Sequence, residues 1–459
     1  MTLLMPRLNA FPGSAILERI TAALPVLYLA WALPLVLAVA VVTPPWQNPD
    51  EATHMLRISQ IAHGGLLGYR FGHDAGGVAD PAILRSLLTV YSVFQHYHHK
   101  VSLGMLGNAG SVQWGVPTQV GFAATARYPP ILYAPAVLAV EAGNLLRLSV
   151  VHSLIAARMA NALAAALVAA LALSLARRTR LALAALLVLP MTVALFASAA
   201  QDGLMIALTL AVVACVDRVL AEERDPAFWE AMLIGVGTVI VITARPTNLP
   251  MAALPLVCAR QLHRRAWLSA AAIAAVAMIW TAYMLSCVSV PLFPSVNPAA
   301  QLTYLLHRPW VILPIATNTL LQFHSGYLAA FIGVLGSLDT PLPASYYNYA
   351  SFVLLLAFAS VAVGPSRRTW LSLLIFLAAA GAVFFASYLT WTLPKADHVD
   401  GIEGRYFLPL AAVLALAMPN WRRLGAMLWP AALVALLAFA LITPMVIIHA
   451  LVLRYYLVP

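Results

Sequence analysis

Residues 22–42, AALPVLYLAWALPLVLAVAVV, form the first of a series of long apolar runs, and the polar stretch TPPWQNPDEATHMLR (residues 43–57) follows at once. About 20 consecutive apolar residues are enough to cross a bilayer as a helix. Of the 459 residues, 63% are hydrophobic and only 9% are charged, whereas about a quarter of a soluble domain is charged. The chain is therefore predicted to be an all-α polytopic membrane protein.

Eleven apolar runs are predicted to span the membrane, and one further run is ambiguous. The segment 130–148 carries Pro130, Pro135 and Glu141, which suit a helix on the membrane surface better than a span. With this segment on the surface, every strong basic cluster falls on one side, as the preference of Lys and Arg for the cytoplasm requires. The predicted spans are 22–42, 152–176, 181–199, 202–220, 228–244, 247–262, 266–288, 346–363, 369–391, 404–418 and 424–450.

This topology places the N-terminus in the cytoplasm, the C-terminus outside and three long polar segments on the outer side, namely 43–151, 289–345 and 392–403. The cytoplasmic side receives 14 of the 26 Lys and Arg residues but only 6 of the 16 acidic residues. Chemistry is therefore expected on the outer face, where neither ATP nor nucleotide-sugars are supplied. We divide the chain into a transmembrane module, 1–288, that includes the first outer loop, and a C-terminal module, 289–459.

The remaining charge, cysteine and histidine patterns favour no other class of protein. The net charge of +10 arises from clusters between apolar runs, where basic residues set topology and need not bind nucleic acid. The three cysteines lie inside apolar runs and predict packing, not disulfides or a metal site. The stretch HYHHK (residues 96–100) matches no strong zinc spacing and favours an exposed loop.

The stretch NPDEATHMLR, directly after the first span, concentrates charge beside the membrane. It predicts a helix with Asn48 as N-cap and a proline at the first helical position. Acids in the first turn suit the positive end of the helix dipole. At 100° per residue, Asp50, His54 and Arg57 fall on one face, with Glu51 on its flank. This spacing indicates a functional site about as strongly as it indicates a solvated helix face.

Several motifs resemble those of a known superfamily. An acidic pair after the first span, on a helix in a long outer loop, resembles the GT-C glycosyltransferases, which take a sugar from a polyprenyl-phosphate or pyrophosphate carrier. PDEATHMLR resembles in particular a bacterial GT-C-like family described as predicted membrane proteins. RYPPILYAP, ARMANALAAAL, SAAQDGL, GVLGSLDTPLP and DGIEGRYFLPL resemble its later motifs in order, over about 370 residues. The chain departs from that pattern at Glu403, where Gln is more usual, and at Ser337, where an aromatic residue is.

The resemblance implies attack by an acceptor hydroxyl on the anomeric carbon of a lipid-linked sugar. An inverting transfer needs one carboxylate base, for which Asp50 is the first candidate and Glu51 the second. His54 would orient the base or bind phosphate, and the leaving phosphate needs positive charge. The candidates for binding the donor and its phosphate are Arg57, Arg127, Tyr128, Arg245, Gln322, His324, Arg405 and Tyr406.

Several polar residues have a structural interpretation beside the functional one. Arg245 is as consistent with anchoring a span end as with binding phosphate, whereas Arg405 enters a span against the charge bias and favours function. Asp202 is interpreted as a helix-start acid and Asp339 as a turn residue. Arg158, inside an apolar run, is expected to pair with Glu141 or Asp202.

The cofactor and partner predictions follow from the same resemblance. Adjacent carboxylates on a helix point about 100° apart and do not easily hold one ion. No metal or other cofactor is therefore predicted, and a divalent cation is the less favoured alternative. The expected function is glycosyl transfer from an undecaprenyl-phosphate type donor to a cell-envelope glycan or lipid, at the periplasmic face of the bacterial inner membrane. The alternatives are a flippase for lipid-linked glycans and a non-catalytic scaffold. Oligomeric state is left open.

Overall fold

Helices dominate the computed structural model, which describes residues 14–94, 96–259, 264–291, 293, 295–361, 366–419 and 421–457. The α-helices are α1 (Ser14–Val42), α2 (Glu51–Ala62), α3 (Ala82–Val90), α4 (Leu103–Ser111), α5 (Ala123–Ala126), α6 (Ala134–Leu145), α7 (Val150–Leu175), α8 (Arg180–Leu187), α9 (Pro190–Phe196), α10 (Asp202–Ala221), α11 (Phe228–Ala244), α12 (Leu254–Cys258), α13 (Arg264–Cys287), α14 (Pro298–His307), α15 (Ile312–Ile332), α16 (Ala344–Ala359), α17 (Ser366–Thr390), α18 (Leu408–Leu416) and α19 (Arg422–Tyr455). Short 3-10 helices cover Tyr91–Val93, Pro130–Tyr133, Pro246–Ala253, Pro309–Val311 and Gly404–Phe407.

Six of the described helices are long and apolar enough to cross a membrane, which agrees with the predicted class of all-α membrane protein. They are Ile16–Val42, Val150–Leu175, Asp202–Ala221, Arg264–Cys287, Arg368–Thr390 and Arg423–Tyr455. Each of the other predicted spans coincides with a shorter helix or with a pair of short helical segments. The positions of the helices are therefore as the hydropathy pattern predicts, while the number of complete spans stays a prediction.

Prolines break two of the predicted spans. The run 181–199 is not one helix but α8 followed by α9, because Leu189 before Pro190 is extended and a residue that precedes proline avoids the helical region. The run 247–262 is likewise a 3-10 helix, Pro246–Ala253, followed by the short α12. Its last residues, 260–262, lie outside the described part of the chain.

The ambiguous segment 130–148 forms a short helix on the polar side of the bundle. Helix α6 has 12 residues, which is about 18 Å at 1.5 Å per residue, against about 30 Å for the hydrocarbon core. Its buried residues Ala136 and Val140 pack in a cluster with Met55 of α2 and Leu154 of α7. The helix therefore covers α2 and the start of α7.

A small sheet in the segment 43–151 was not predicted. Its antiparallel strands, in the order β1-β2-β3, are Tyr69–Phe71, Asp74–Ala79 and Thr118–Gly121. Gly76 pairs with Gly121, and a Cβ on Gly76 would lie 2.1 Å from the carbonyl oxygen of Val120. Strands this short carry too few alternations to show a period of two. A second ribbon pairs β4 (Val334–Leu335) with β5 (Thr340–Pro341).

The predicted outer segments 43–151, 289–345 and 392–403 meet at one end of the helices, which we call the site end. Gln47 accepts a hydrogen bond of 3.1 Å from Ser337, which joins the first two segments. Asn318 donates to the carbonyl oxygen of Asp397 at 3.3 Å and joins the second to the third. One hydrophobic core runs through both halves of the chain, from α1 to α19, so the division at residue 288 stays a prediction.

Candidate functional site

Helix α2 begins two residues later than the sequence predicts. Asp50, not Asn48, is the N-cap, and it adopts a left-handed conformation with φ 56° and ψ 13°. Asn48 instead donates its side-chain amide to Glu51 Oε1 at 2.9 Å. Asp is one of the few residues that enter the left-handed region at modest cost, and here that conformation leaves the Asp50 side chain 57% exposed.

Glu51 points into the protein and forms a buried ion pair with Arg158. Arg158 donates from Nε to Glu51 Oε1 at 2.7 Å and from Nη2 to Oε2 at 2.5 Å, and both side chains are at most 1% exposed. Arg158 also donates to the carbonyl oxygens of Ala40, Thr43 and Pro44. The expected pairing of Arg158 with Glu141 or Asp202 is therefore wrong. We call Glu51, Arg158 and these three carbonyls the anchor.

The environment of Glu51 keeps its carboxylate charged. Burial would raise its pKa, but the charge and hydrogen bonds of Arg158 and the amide of Asn48 hold the pKa below its usual value. A carboxylate that is paired through both oxygens and excluded from solvent is not accessible to a substrate. The geometry therefore gives Glu51 a structural role and leaves Asp50 as the exposed member of the acidic pair.

Four chain segments bring charged side chains together around Asp50. Arg405 donates to Asp50 Oδ2 at 3.0 Å and also bonds Glu403. Arg245 donates to Asp202 Oδ1 at 2.7 Å, and the imidazole Nε2 of His54 lies 4.0 Å from Asp202 Oδ2. We call this group the rim cluster; its members are Asp50, His54, Asp202, Arg245, Glu403 and Arg405. The rim cluster therefore contains two arginines, one histidine and three carboxylates.

His54 is held as a neutral imidazole. Burial lowers its pKa, against the attraction of Asp202 and Asp50. Its Nδ1 lies 2.7 Å from the hydroxyl of Tyr133, whose own pKa is raised well above the usual value by burial. When this hydroxyl donates to Nδ1, the ring proton stays on Nε2 and faces Asp202. The ring also stacks on Tyr128, with 6.0 Å between centroids.

The two arginines of the rim cluster share one aromatic ring. The guanidinium carbon of Arg245 lies 4.2 Å from the centroid of Tyr406, and that of Arg405 lies 5.7 Å away. Stacking fixes the planes of the guanidinium groups. The turn that carries Arg405 and Tyr406 needs Gly404, because a Cβ there would lie 2.0 Å from the carbonyl oxygen of Tyr327 in α15.

Residues 33–414 match the family described as predicted membrane protein (DUF2142). The chain belongs to this family. No curated protein and no solved structure matches the chain. The family description states a membrane protein and no activity, so the GT-C resemblance remains an expectation.

The DUF2142 match covers every member of the rim cluster and ends before α19. Helix α19 nevertheless completes the structure at the site end, because the fully buried Arg454 bonds Asp339 through Nε at 2.9 Å. The same guanidinium donates to the carbonyl oxygens of Val93 and His99. Asp339, interpreted from the sequence as a turn residue, is thus also the partner of a buried cation.

The predicted donor-binding residues that are not members of the rim cluster include Arg57, Arg127, Gln322 and His324. Arg57 is fully buried and donates to the carbonyl oxygens of Leu66 and Tyr128 at 2.6 and 2.9 Å, so its N–H groups secure the loop. Arg127 is half-buried over the ring of Tyr128, at 5.8 Å. Gln322 and His324 are exposed on α15, and in the described part of the chain neither hydrogen-bonds to the cluster.

Sequence reasoning gave too little weight to Asp202, Glu403 and Tyr133. Asp202 is the first residue of α10, as expected of a helix-start acid, but it also joins Arg245 to His54. The sequence feature that could have indicated this role of Asp202 is its position beside Gln201, at the first residue of a predicted span. Among the described residues no group of three or more His, Cys, Asp or Glu side chains is arranged to hold a metal ion, and metal independence stays a prediction.

Proposed function

We propose that this chain is a GT-C-type glycosyltransferase. It would move a sugar from a polyprenyl-phosphate carrier to a cell-envelope glycan or lipid, at the periplasmic face of the bacterial inner membrane. One observation carries the proposal: an exposed carboxylate, Asp50, stands at a left-handed helix start, where the buried Arg405 orients it. Strained backbone conformations concentrate at functional sites.

Asp50 supplies the base for this reaction. Its carboxylate accepts the proton of the acceptor hydroxyl as the oxygen of that hydroxyl bonds to the anomeric carbon. The bond from the anomeric carbon to the phosphate oxygen breaks at the same time, and the carrier phosphate leaves with the electron pair. Because Asp50 has one ion-pair partner and is more than half exposed, it has lone pairs free for the acceptor.

Arg245 and Arg405 supply positive charge for the leaving phosphate. A guanidinium has five N–H donors, and the ion pair between Arg245 and Asp202 is made through one Nη. The remaining donors of a half-buried arginine suit the oxygens of a phosphate. Neutral His54, fixed by Tyr133, lies 4.0 Å from Asp202, the ion-pair partner of Arg245.

The test is donor turnover by purified protein with a panel of radiolabelled polyprenyl-phosphate sugars. We expect release of carrier phosphate by the wild type and its loss in Asp50→Asn. Asp74→Asn is the matched control, because Asp74 is another exposed acid of the first outer loop and its Oδ1 accepts a backbone hydrogen bond that Asn can keep.

The other outcomes discriminate between the remaining functions. Turnover that survives Asp50→Asn would remove Asp50 from the role of base. Carrier binding without turnover by the wild type, across the whole donor panel, would support a flippase. Neither binding nor turnover would support a scaffold.

A further inference from the structure

A cavity of about 550 Å³ lies at the site end and shares no lining residue with the rim cluster. Its walls come from the end of α1, from α4 and from the start of α7, and include Val41, Pro44, Pro45, Gly107, Gly110 and His152. Its volume is within the range of about 300–1,000 Å³ that is usual for small-molecule sites.

The anchor links this cavity to the chain segment that carries Asp50. Pro44 lines the cavity, and its carbonyl oxygen accepts a hydrogen bond of 2.9 Å from Arg158. Arg158 in turn holds Glu51, the neighbour of Asp50. A ligand in the cavity would therefore press on the segment that ends at the rim cluster without touching the cluster itself.

The cavity opens beside the exposed end of α1. Val41, which lines the cavity, is 52% exposed near the end of a helix that is long and apolar enough to cross the membrane. Helix α4 adds a second exposed apolar residue, Leu103, which is 88% exposed. A cavity between these helices is reached from the bilayer, where the abundant ligand is the acyl chain of a lipid.

Two glycines make room inside the cavity. A Cβ on Gly107 or Gly110 would have no atom of the described chain within 4 Å. Larger side chains at these two positions of α4 would therefore fill the cavity without a clash. Leucine also has a higher helix propensity than glycine, so the substitutions are compatible with the fold.

Three polar side chains stand among the apolar walls, Ser111, His152 and Tyr456. The hydroxyl of Ser111 donates to the carbonyl oxygen of Asn108 and that of Tyr456 to the carbonyl oxygen of Val42. His152 is exposed, and its Nδ1 lies 2.7 Å from Ser149 Oγ, at the start of α7. This contact uses one ring nitrogen and leaves Nε2 for a ligand. A mainly apolar cavity with one imidazole nitrogen left for a ligand matches a hydrocarbon chain that ends in an ester or phosphate.

We propose that this cavity binds one acyl chain of a bilayer phospholipid, with the ester and phosphate oxygens at His152. The bound chain supports Pro44 and Pro45 and thereby the segment that leads to Asp50. The inference concerns a second lipid and does not depend on the sugar donor or on turnover.

The test is photolabelling of the full chain, in lipid nanodiscs, by a phosphatidylglycerol that carries a diazirine in one acyl chain. We expect labelled peptides from α4 and the start of α7. Gly107→Leu/Gly110→Leu should reduce this labelling by more than about fivefold, a loss of roughly 1 kcal/mol in binding. The matched control is Gly235→Leu/Gly381→Leu, since these glycines of α11 and α17 also have open space at Cβ.

Three results would overturn the proposal. Equal labelling of the filled variant and the control would show that the lipid does not occupy the cavity. Competition of the label by a polyprenyl phosphate but not by unlabelled phosphatidylglycerol would assign the cavity to an isoprenoid. Wild-type labels confined to other helices would exclude the site even if the filled variant failed to fold. Donor turnover is measured separately, so failure of the proposed function leaves this result intact.

Discussion

The rim cluster and the anchor contain adjacent carboxylates in opposite surroundings. The Asp50 side chain is 57% exposed, whereas that of Glu51 is fully buried. Asp50 meets one arginine that it shares with Glu403, while Glu51 is bound through both oxygens. Asp50 stays available because its own backbone is left-handed and turns its side chain outward. Glu51 instead binds Arg158 and so holds the segment after α1 against α7.

The comparison predicts that the anchor governs stability and the rim cluster governs activity. Removing one partner of a buried pair leaves an uncompensated charge in a low dielectric. Removing an exposed partner exchanges a weak ion pair for water. Substitutions at neighbouring positions should therefore affect different measurements.

Glu51→Gln should produce the largest loss of stability. It leaves Arg158 charged and buried without an anion, which costs about 3–5 kcal/mol. Thermal unfolding of the detergent-solubilised protein measures this loss. The control is Glu51→Met/Arg158→Met, which should be less destabilised than Glu51→Gln because no charge remains buried. An unchanged unfolding temperature in Glu51→Gln would contradict the role of the anchor.

Asp50→Asn should reduce donor turnover by about 10²–10⁴-fold, the usual contribution of a general base. Its free energy of unfolding should change by less than about 1 kcal/mol, because Asp50 is more than half exposed and the buried Arg405 keeps its ion pair with Glu403. Parallel measurements of turnover and unfolding test both statements. If Asp50→Asn lost its fold along with its activity, the result would contradict the separate roles of the rim cluster in activity and the anchor in stability.

Arg405→Lys should reduce turnover by about tenfold or more while keeping the charge. Lysine cannot reproduce the planar guanidinium that bonds Asp50 and Glu403 at once and stacks on Tyr406. The pH dependence of kcat distinguishes this positioning role from a merely structural one. A misplaced Asp50 shifts the acidic side of the pH–rate profile, whereas a purely structural defect lowers kcat without shifting the profile. An Arg405→Lys variant with the wild-type rate and pH profile would show that charge alone is enough.

His54 should make stability fall on acidification. Its pKa is lowered in the folded protein from about 6.5 in the unfolded chain. Below pH 6.5 the unfolded chain therefore binds a proton that the folded protein resists, and stability declines by at most about 1.4 kcal/mol per pH unit. His54→Gln should lack this part of the slope. If the free energy of unfolding fell equally steeply with decreasing pH in the wild type and in His54→Gln, between pH 5 and 6.5, the result would contradict a neutral, buried His54.

Arg177→Gln, at the opposite end of the bundle, should have the smallest effect. Its ion pair with Glu222 joins two partly exposed side chains at 3.2 Å, and such pairs contribute about 0–1 kcal/mol. Donor turnover should not change. A loss of activity in Arg177→Gln would show that the rim cluster is not the sole determinant of turnover.

Pattern reasoning located the helices and named four residues that the structure brings together in the rim cluster, Asp50, His54, Arg245 and Arg405, but it did not predict their arrangement. Hydropathy located the runs that became helices, and the charge bias grouped the three outer segments, which meet at one end. The left-handed start of α2, the break at Pro190 and the 3-10 helix Pro246–Ala253 depend on local geometry that periodicity does not resolve. The inward turn of Glu51 depends on Arg158, which is 107 residues away.

The sequence by itself determined that this protein lies in a membrane, where its helices fall and which segments share an end, because hydropathy and charge act over a local stretch of chain. Tertiary structure alone decided which acid is free. Asp50 and Arg405 are 355 residues apart, and Asp202 meets Arg245 across 43. Contacts over such separations arise from helix packing, and no spacing along the chain encodes them.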